Sequence, residues 1–243
     1  MRIVAIIQAR MGSTRLPGKV LMNILDKPVL WHVIQRTCQA KLIDEVVVAT
    51  TTNEADQAIV SLCQAQGWPY FRGSEGDVLD RYYQTAKHYH ADVIVRITSD
   101  CPLIDSEVTD QVIKTFIEGH HKLDYASNTL PPRTFPRGLD TEVFSLSTLE
   151  RAWREDANPA TREHVTPYVY RHPEKFQLQG ITNNVDYSYM RWTVDTLEDL
   201  IFVRKIFEHF GGNGFSWQDV LLVLNEHPEW QEINRHVQQK VVP

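Results

Sequence analysis

Three short apolar runs constrain this chain more than any other feature: RIVAIIQ at 2–8, EVVVAT at 45–50 and DVIVRIT at 92–98. Each is nearly continuous in apolar character and rich in β-branched residues, the pattern of a strand buried on both faces of a parallel sheet. Segments of helical spacing separate them. One begins at Pro28, a residue suited to a helix's first turn, and carries Leu30, Val33, Ile34, Thr37 and Cys38 on one face. A second spans 54–66 through Ala55, Ile59, Leu62 and Cys63, and a third spans 76–90 through Val78, Leu79, Tyr82, Tyr83 and Ala86. PYF at 69–71 reads as a short strand, and 106–118 as a further helix. This alternation predicts an α/β fold with a mostly parallel sheet and helices on both faces.

Ligands of such sheets bind beyond the carboxyl ends of the strands. Two loops lie there: ARMGSTRLPGK at 9–19 and SDCPLID at 99–105. The first gathers Arg10, Arg15 and Lys19 in a protein whose net charge is −6. That net charge argues against a general affinity for nucleic acid, so a bound anion must be held by a local cluster. Gly12 suits a turn or the close approach of a ligand, successive N–H groups can form an anion nest, and the three cations suit phosphate oxygens. The loop is neither GxxxxGK[ST] nor GxGxxG. As a bland alternative, it is a solvated surface loop.

In the second loop, Asp100 follows directly on a buried strand. A carboxylate there suits Mg²⁺, which favours one or two carboxylates plus phosphate and water oxygens. Its bland reading is a helix cap, a role that Asp105 fills better. Asp195, at the end of MRWTV (190–194), is a second strand-end carboxylate, and its bland reading is a cap for the following helix.

The second half is less regular. Residues 128–140 form a proline-rich loop, 147–156 and 161–171 read as helices, 176–181 as a strand that suits a hairpin, 190–194 as a strand, and 197–209 and 216–225 as helices. The reading is one domain over 1–243 with a substrate-side and dimerisation excursion at about 123–190. Three scattered cysteines, the absence of a leader-like start and the lack of any apolar run of membrane-span length point to a cytoplasmic protein without a membrane association. His88, His90, His120 and His121 read as surface residues, because no third ligand stands at a convincing spacing.

IIQARMGSTRLPGKVL resembles the signature of the cytidylyltransferases that activate acidic sugars, CMP-Kdo synthetases and acylneuraminate cytidylyltransferases among them. The match runs through Ala9, Arg10, Gly12, Ser13, Arg15, Leu16, Pro17 and Lys19. GSEGDVLDRYY, FPRGLDTEVFS, REHVTPYVYRHP and RWTVDTLEDL are similar to the branch named after the spore-coat polysaccharide biosynthesis protein F. The resemblance implies a Rossmann-like three-layer sandwich of the nucleotide-diphospho-sugar transferase type, acting in surface polysaccharide biosynthesis. It implies CTP and a small acidic acceptor as substrates, Mg²⁺ as cofactor and a homodimer.

It further implies that Arg10 and Lys19 meet the triphosphate and, with Asp100, carry catalysis. The backbone around Ala9, Met11 and Gly12 touches base and phosphate. Gln8, Ser13, Arg15, Asp80 and Arg81 complete the nucleotide set, and Asp100 and Asp195 hold the metal. FPRGLDTEVFS is not a sugar-side motif of the sialic acid or Kdo enzymes, which leaves the acceptor open. Arg137, Asp140, Glu142 and Arg162 are the acceptor-side candidates, with Arg137 or Arg162 a clamp for a carboxylate, phosphate or phosphonate. A polar helix face is the bland reading of Arg162. Two other readings stand beside this one: a glycosyltransferase using a nucleotide sugar, although SDCPLID lacks its D-x-D, and a non-catalytic nucleotide-binding subunit of a polysaccharide assembly complex.

Overall fold

The computed structural model describes residues 1–119 and 122–239; His120 and His121 lie outside the described residues. In chain order the elements are β1 (Ile3–Gln8), β2 (Asn23–Ile24), β3 (Lys27–Pro28), α1 (Val29–Thr37), β4 (Glu45–Thr51), α2 (Gln57–Gln66), β5 (Tyr70–Gly73), α3 (Val78–His88), β6 (Val93–Thr98) and α4 (Ser106–Glu118). They continue with β7 (Tyr125–Ser127), β8 (Glu142–Ser145), α5 (Leu146–Glu155), α6 (Pro159–His164), α7 (Pro167–Tyr170), β9 (Leu178–Gly180), α8 (Leu197–Phe210) and α9 (Trp217–Glu226).

Seven strands form one sheet in the order β5-β4-β1-β6-β8-β7-β9, and β2 and β3 form a separate small ribbon. β1 pairs in parallel with β4 and β6, and β4 with β5. β8 runs antiparallel to both β6 and β7. The apolar runs are explained by the two-residue period of a strand covered on both faces. Ile3, Ala5 and Ile7 of β1 pack into a core with α1, α4, α8 and α9, whereas Val4 and Ile6 pack into a second core with α3 and α5. The chain crosses from β1 to β4 and β5 on one side, then returns to β6 on the other. The carboxyl ends of β1 and β6 therefore flank the switch point where ligands of such sheets bind.

The second half departs from expectation in four places. Residues 123–190, read as an excursion, supply β7, β8 and β9 to the main sheet. The strand expected at 176–181 shortens to β9 and pairs in parallel with β7 instead of forming a hairpin. The helix expected at 161–171 breaks into α6 and α7, because Val165 takes φ 71° and Pro167 restarts the chain. Residues 190–194 are extended but make only an isolated bridge, between Arg191 and Arg137. Their neighbour is the proline-rich loop, which offers two backbone hydrogen bonds near Arg137 and then turns away at Gly138.

Candidate active site

The loop after β1 is shaped by its own backbone and by one carboxylate from elsewhere. Ser13 and Gly18 both donate to the Met11 carbonyl, at 2.8 and 3.1 Å, and Gly18 adopts φ 71°. The Met11 N–H donates to Asp56 Oδ1 at 2.6 Å, while Asp56 Oδ2 accepts from Thr51 at the end of β4. Gly12 meets nothing nearer than Glu75, 4.0 Å from where a Cβ would sit. Protein packing therefore does not require a glycine at this position, and its open face leaves room for close ligand approach.

Lys19 begins a short 3-10 turn at the end of this loop and crosses the cleft. Its Nζ donates to Asp100 Oδ2 at 3.0 Å, Asp195 Oδ1 at 2.7 Å and the Val194 carbonyl at 2.8 Å. Burial works against its charge, but Asp100 and Asp195 outweigh that and raise its pKa above the ordinary lysine value. Burial likewise works against the Asp100 carboxylate, and Lys19 reverses the effect and holds its pKa below the usual range. Asp195 Oδ2 accepts from Arg15 at 2.8 Å and from Arg191 at 2.7 Å.

Neither aspartate is a helix cap. Asp105 caps α4, accepting from the N–H groups of Glu107 and Val108, and Thr196 caps α8 in a capping box with Asp199. Fully buried Asp199 also accepts from Arg191 Nε at 2.9 Å and from the Asp195 N–H at 3.0 Å, which fixes the segment that presents Asp195.

The cleft between these groups encloses about 410 Å³. Of the residues singled out in the sequence, Gln8, Ala9, Arg10, Gly12, Ser13, Arg15, Lys19, Arg81, Asp100, Asp140 and Asp195 line it. Arg10 reaches across its mouth to Glu163 at 3.4 Å.

Five expected site residues do not line it. Met11 contributes its backbone to the loop while its side chain packs on the core. Asp80 accepts from Trp153 Nε1 at 2.9 Å and from Gln84 at 3.1 Å, which turns it toward α5. Glu142 is buried in β8, where it binds Arg96, Tyr125 and Thr166. Arg162 is held by Asp77 and by helix carbonyls. Arg137 lines a separate cavity of about 470 Å³ beside Tyr189 and Trp192.

Sequence reasoning missed Arg96 and Thr193, which line the cleft, and Asp56, which holds the loop. The one available signal was the charge of Arg96 within the apolar run DVIVRIT. Five buried side-chain polar atoms have no protein partner among the described residues, and four of them belong to cleft residues: Gln8 Oε1, Arg81 Nε, Arg96 Nε and Thr193 Oγ1. Buried polar groups are nearly always satisfied, so this concentration marks a place adapted to a polar ligand.

No group of three or more His, Cys, Asp and Glu suited to a metal occurs among the described residues. Two carboxylate oxygens nevertheless converge within 3.0 Å of one cationic atom, Lys19 Nζ. Two hard oxygens, with phosphate and water to complete the shell, fit Mg²⁺. No helix among the described residues is long and apolar enough to cross a membrane.

A switch-point cleft with a basic loop on one side and, on the other, one aspartate just past β6 and one after the extended segment 190–194 defines a nucleotidyltransferase type of α/β enzyme. The cytidylyltransferase family model matches residues 4–209, and the chain belongs to that family. A solved cytidylyltransferase from Leptospira borgpetersenii is similar over 99% of this chain and 100% of its own, with a TM-score of 0.91 and 36% identity. The spore coat polysaccharide biosynthesis protein SpsF of Bacillus subtilis is 32% identical over 93% of this chain and 95% of its own. A 3-deoxy-manno-octulosonate cytidylyltransferase from Geobacter metallireducens is 37% identical over 70% of this chain and 75% of its own.

Proposed function

We propose that this enzyme transfers CMP from CTP to a small acidic sugar of the nonulosonic-acid type, releasing pyrophosphate, in the synthesis of a surface polysaccharide. The observation that carries this reading is the convergence of Asp100 and Asp195 on Lys19, at the end of the loop that matches the family signature. The acidic-sugar acceptor rests on the resemblance to enzymes that activate such sugars, and surface polysaccharide on the SpsF relative.

In this reading the acceptor hydroxyl attacks the α-phosphorus of CTP, and the bond to the β-phosphate oxygen breaks. Arg10, Arg15 and Lys19 neutralise charge developing on the leaving pyrophosphate. Asp100 and Asp195 would hold Mg²⁺, which would supply further charge neutralisation at the phosphates. The N–H groups of the 9–19 loop would orient the triphosphate, and Arg96, Asp140 and Thr193, which line the same cleft, would face the acceptor. Most of the acceleration comes from positioning and electrostatics. Homodimerisation and a cytoplasmic location complete the reading, the first measurable by light scattering on the eluted protein.

A pyrophosphate-release screen of four nucleoside triphosphates against acidic sugars and phosphonates tests it. Release with CTP, Mg²⁺ and an acidic sugar is expected, together with a larger rise in melting temperature for CTP than for ATP or GTP. Equal shifts for all nucleotides, or release of a nucleoside diphosphate from a nucleotide sugar, would overturn it.

A further inference from the structure

The Lys19 ammonium has three N–H donors, and all three are used: on Asp100 at 3.0 Å, on Asp195 at 2.7 Å and on the Val194 carbonyl at 2.8 Å. With Lys19 only 9% exposed, no donor is left for a phosphate in this arrangement. Asp195 is equally committed. Lys19 takes one of its oxygens, and Arg15 and Arg191 take the other. The loop that would hold a triphosphate therefore also neutralises the two carboxylates that would hold a divalent cation.

We propose that Lys19 and Arg15 form a counter-ion clamp that keeps Asp100 and Asp195 closed to a divalent cation until a nucleoside triphosphate draws the two side chains away. This rests on the nucleotidyltransferase reading given above and adds an order of events to it. A dication arriving alone must displace an ammonium that already satisfies both carboxylates and compete with Arg15 for Asp195. A triphosphate changes that balance, because its oxygens give Lys19 and Arg15 alternative anionic partners. Arg191 does not take part in the exchange, since buried Asp199 anchors it through both Nε and Nη2, at 2.9 and 3.0 Å. Nucleotide and metal then bind with positive coupling, which by linkage acts equally in both directions. The clamp also keeps the carboxylates from gathering a metal ion before the substrate that needs it.

The test is Mn²⁺ binding to the full-length protein without nucleotide, followed by electron paramagnetic resonance of the free ion. Wild type should bind weakly. Lys19→Met and Lys19→Gln should bind at least roughly tenfold more tightly, within the ordinary range of such couplings. Arg15→Met changes only a partly exposed loop side chain, so it keeps the test valid if the Lys19 variants fold poorly, and it should also tighten binding. Adding Asp100→Asn to Lys19→Gln should abolish the gain. Variants that bind Mn²⁺ no more tightly than wild type overturn the clamp. If Asp100→Asn weakens binding in that case, the metal assignment itself stands. Binding indifferent to Asp100→Asn overturns the metal assignment and the clamp with it.

Discussion

Arg162 and Asp77 stand 85 positions apart in sequence, yet Arg162 donates to one Asp77 oxygen from both Nε, at 2.9 Å, and Nη2, at 2.7 Å. Its Nη1 binds the carbonyls of Trp153 and Asp156. Asp77 in turn caps α3 through its other oxygen. This guanidinium therefore fastens α6 to the start of α3, with four of its five N–H donors committed to structural partners. We predict that Arg162→Ala lowers stability by about 2–3 kcal/mol, as expected for a partly buried charged pair that loses one partner. Arg162→Lys should not restore it, because a single ammonium cannot make the same fork. Urea unfolding measures this. A change in acceptor KM with an unchanged unfolding midpoint would return Arg162 to the acceptor site.

Asp100 and Asp195 make a second prediction. Replacing either with Asn keeps the shape and removes the charge. Pyrophosphate release should fall by at least about 10²-fold, the usual loss when a group that organises charge in the transition state is removed. Far-ultraviolet circular dichroism should stay unchanged, since neither aspartate caps a helix. Full activity in Asp100→Asn would remove this carboxylate from the mechanism.

Gly138 carries the third. It takes φ 110°, and a Cβ there would lie 2.8 Å from the backbone carbon of Trp192 and 2.9 Å from its oxygen. Neither contact is with a side chain that can swing aside. Gly138→Ala should cost about 2–4 kcal/mol through backbone strain and clash. It should also lower activity more than Arg162→Ala, because the segment it displaces leads directly to Asp195. Thermal unfolding alongside pyrophosphate release separates the two effects; an alanine variant with wild-type values in both would contradict the close approach.

The first half of the fold and the basic side of the cleft were legible because they are local. Near-continuous apolar runs marked β1, β4 and β6, a 3.6-residue period marked the intervening helices, and the loop's charges follow one another in sequence. In the second half the helices α5, α8 and α9 were legible for the same reason, but the strands were not, because they are three or four residues long and owe their pairing to distant partners. β8 contains Glu142, a residue that reads as a solvent or ligand group until Arg96 is found opposite it in the register. The same reason explains why Arg162 was chosen for the acceptor. The sequence displays a charge but does not tell whether a partner 46 or 85 positions away has already claimed it. Asp56 was invisible for a related reason: it acts through a backbone N–H of another loop.

The last prediction concerns alkaline pH. Cys63 on α2 is fully buried, and burial pushes its thiol up to about 11, against an ordinary value of 9.0. The unfolded chain therefore gives up this proton at lower pH than the folded protein does. Below pH 9 the thiol is protonated in both states and the stability it contributes is fully present. Between pH 9 and about 11 the unfolded state alone ionises, so stability falls as pH rises, and above that window the loss levels off. The shift corresponds to at most about 2–3 kcal/mol. Buried Tyr82 and Tyr125 have raised values for the same reason and add to the fall at higher pH. Comparing wild type with Cys63→Ala isolates the thiol. The alanine protein should be less stable at pH 8 because of the cavity it creates, yet lose less further stability between pH 8.5 and 10.5. Parallel pH curves for the two proteins would show that the thiol ionises alike in the folded and unfolded chains.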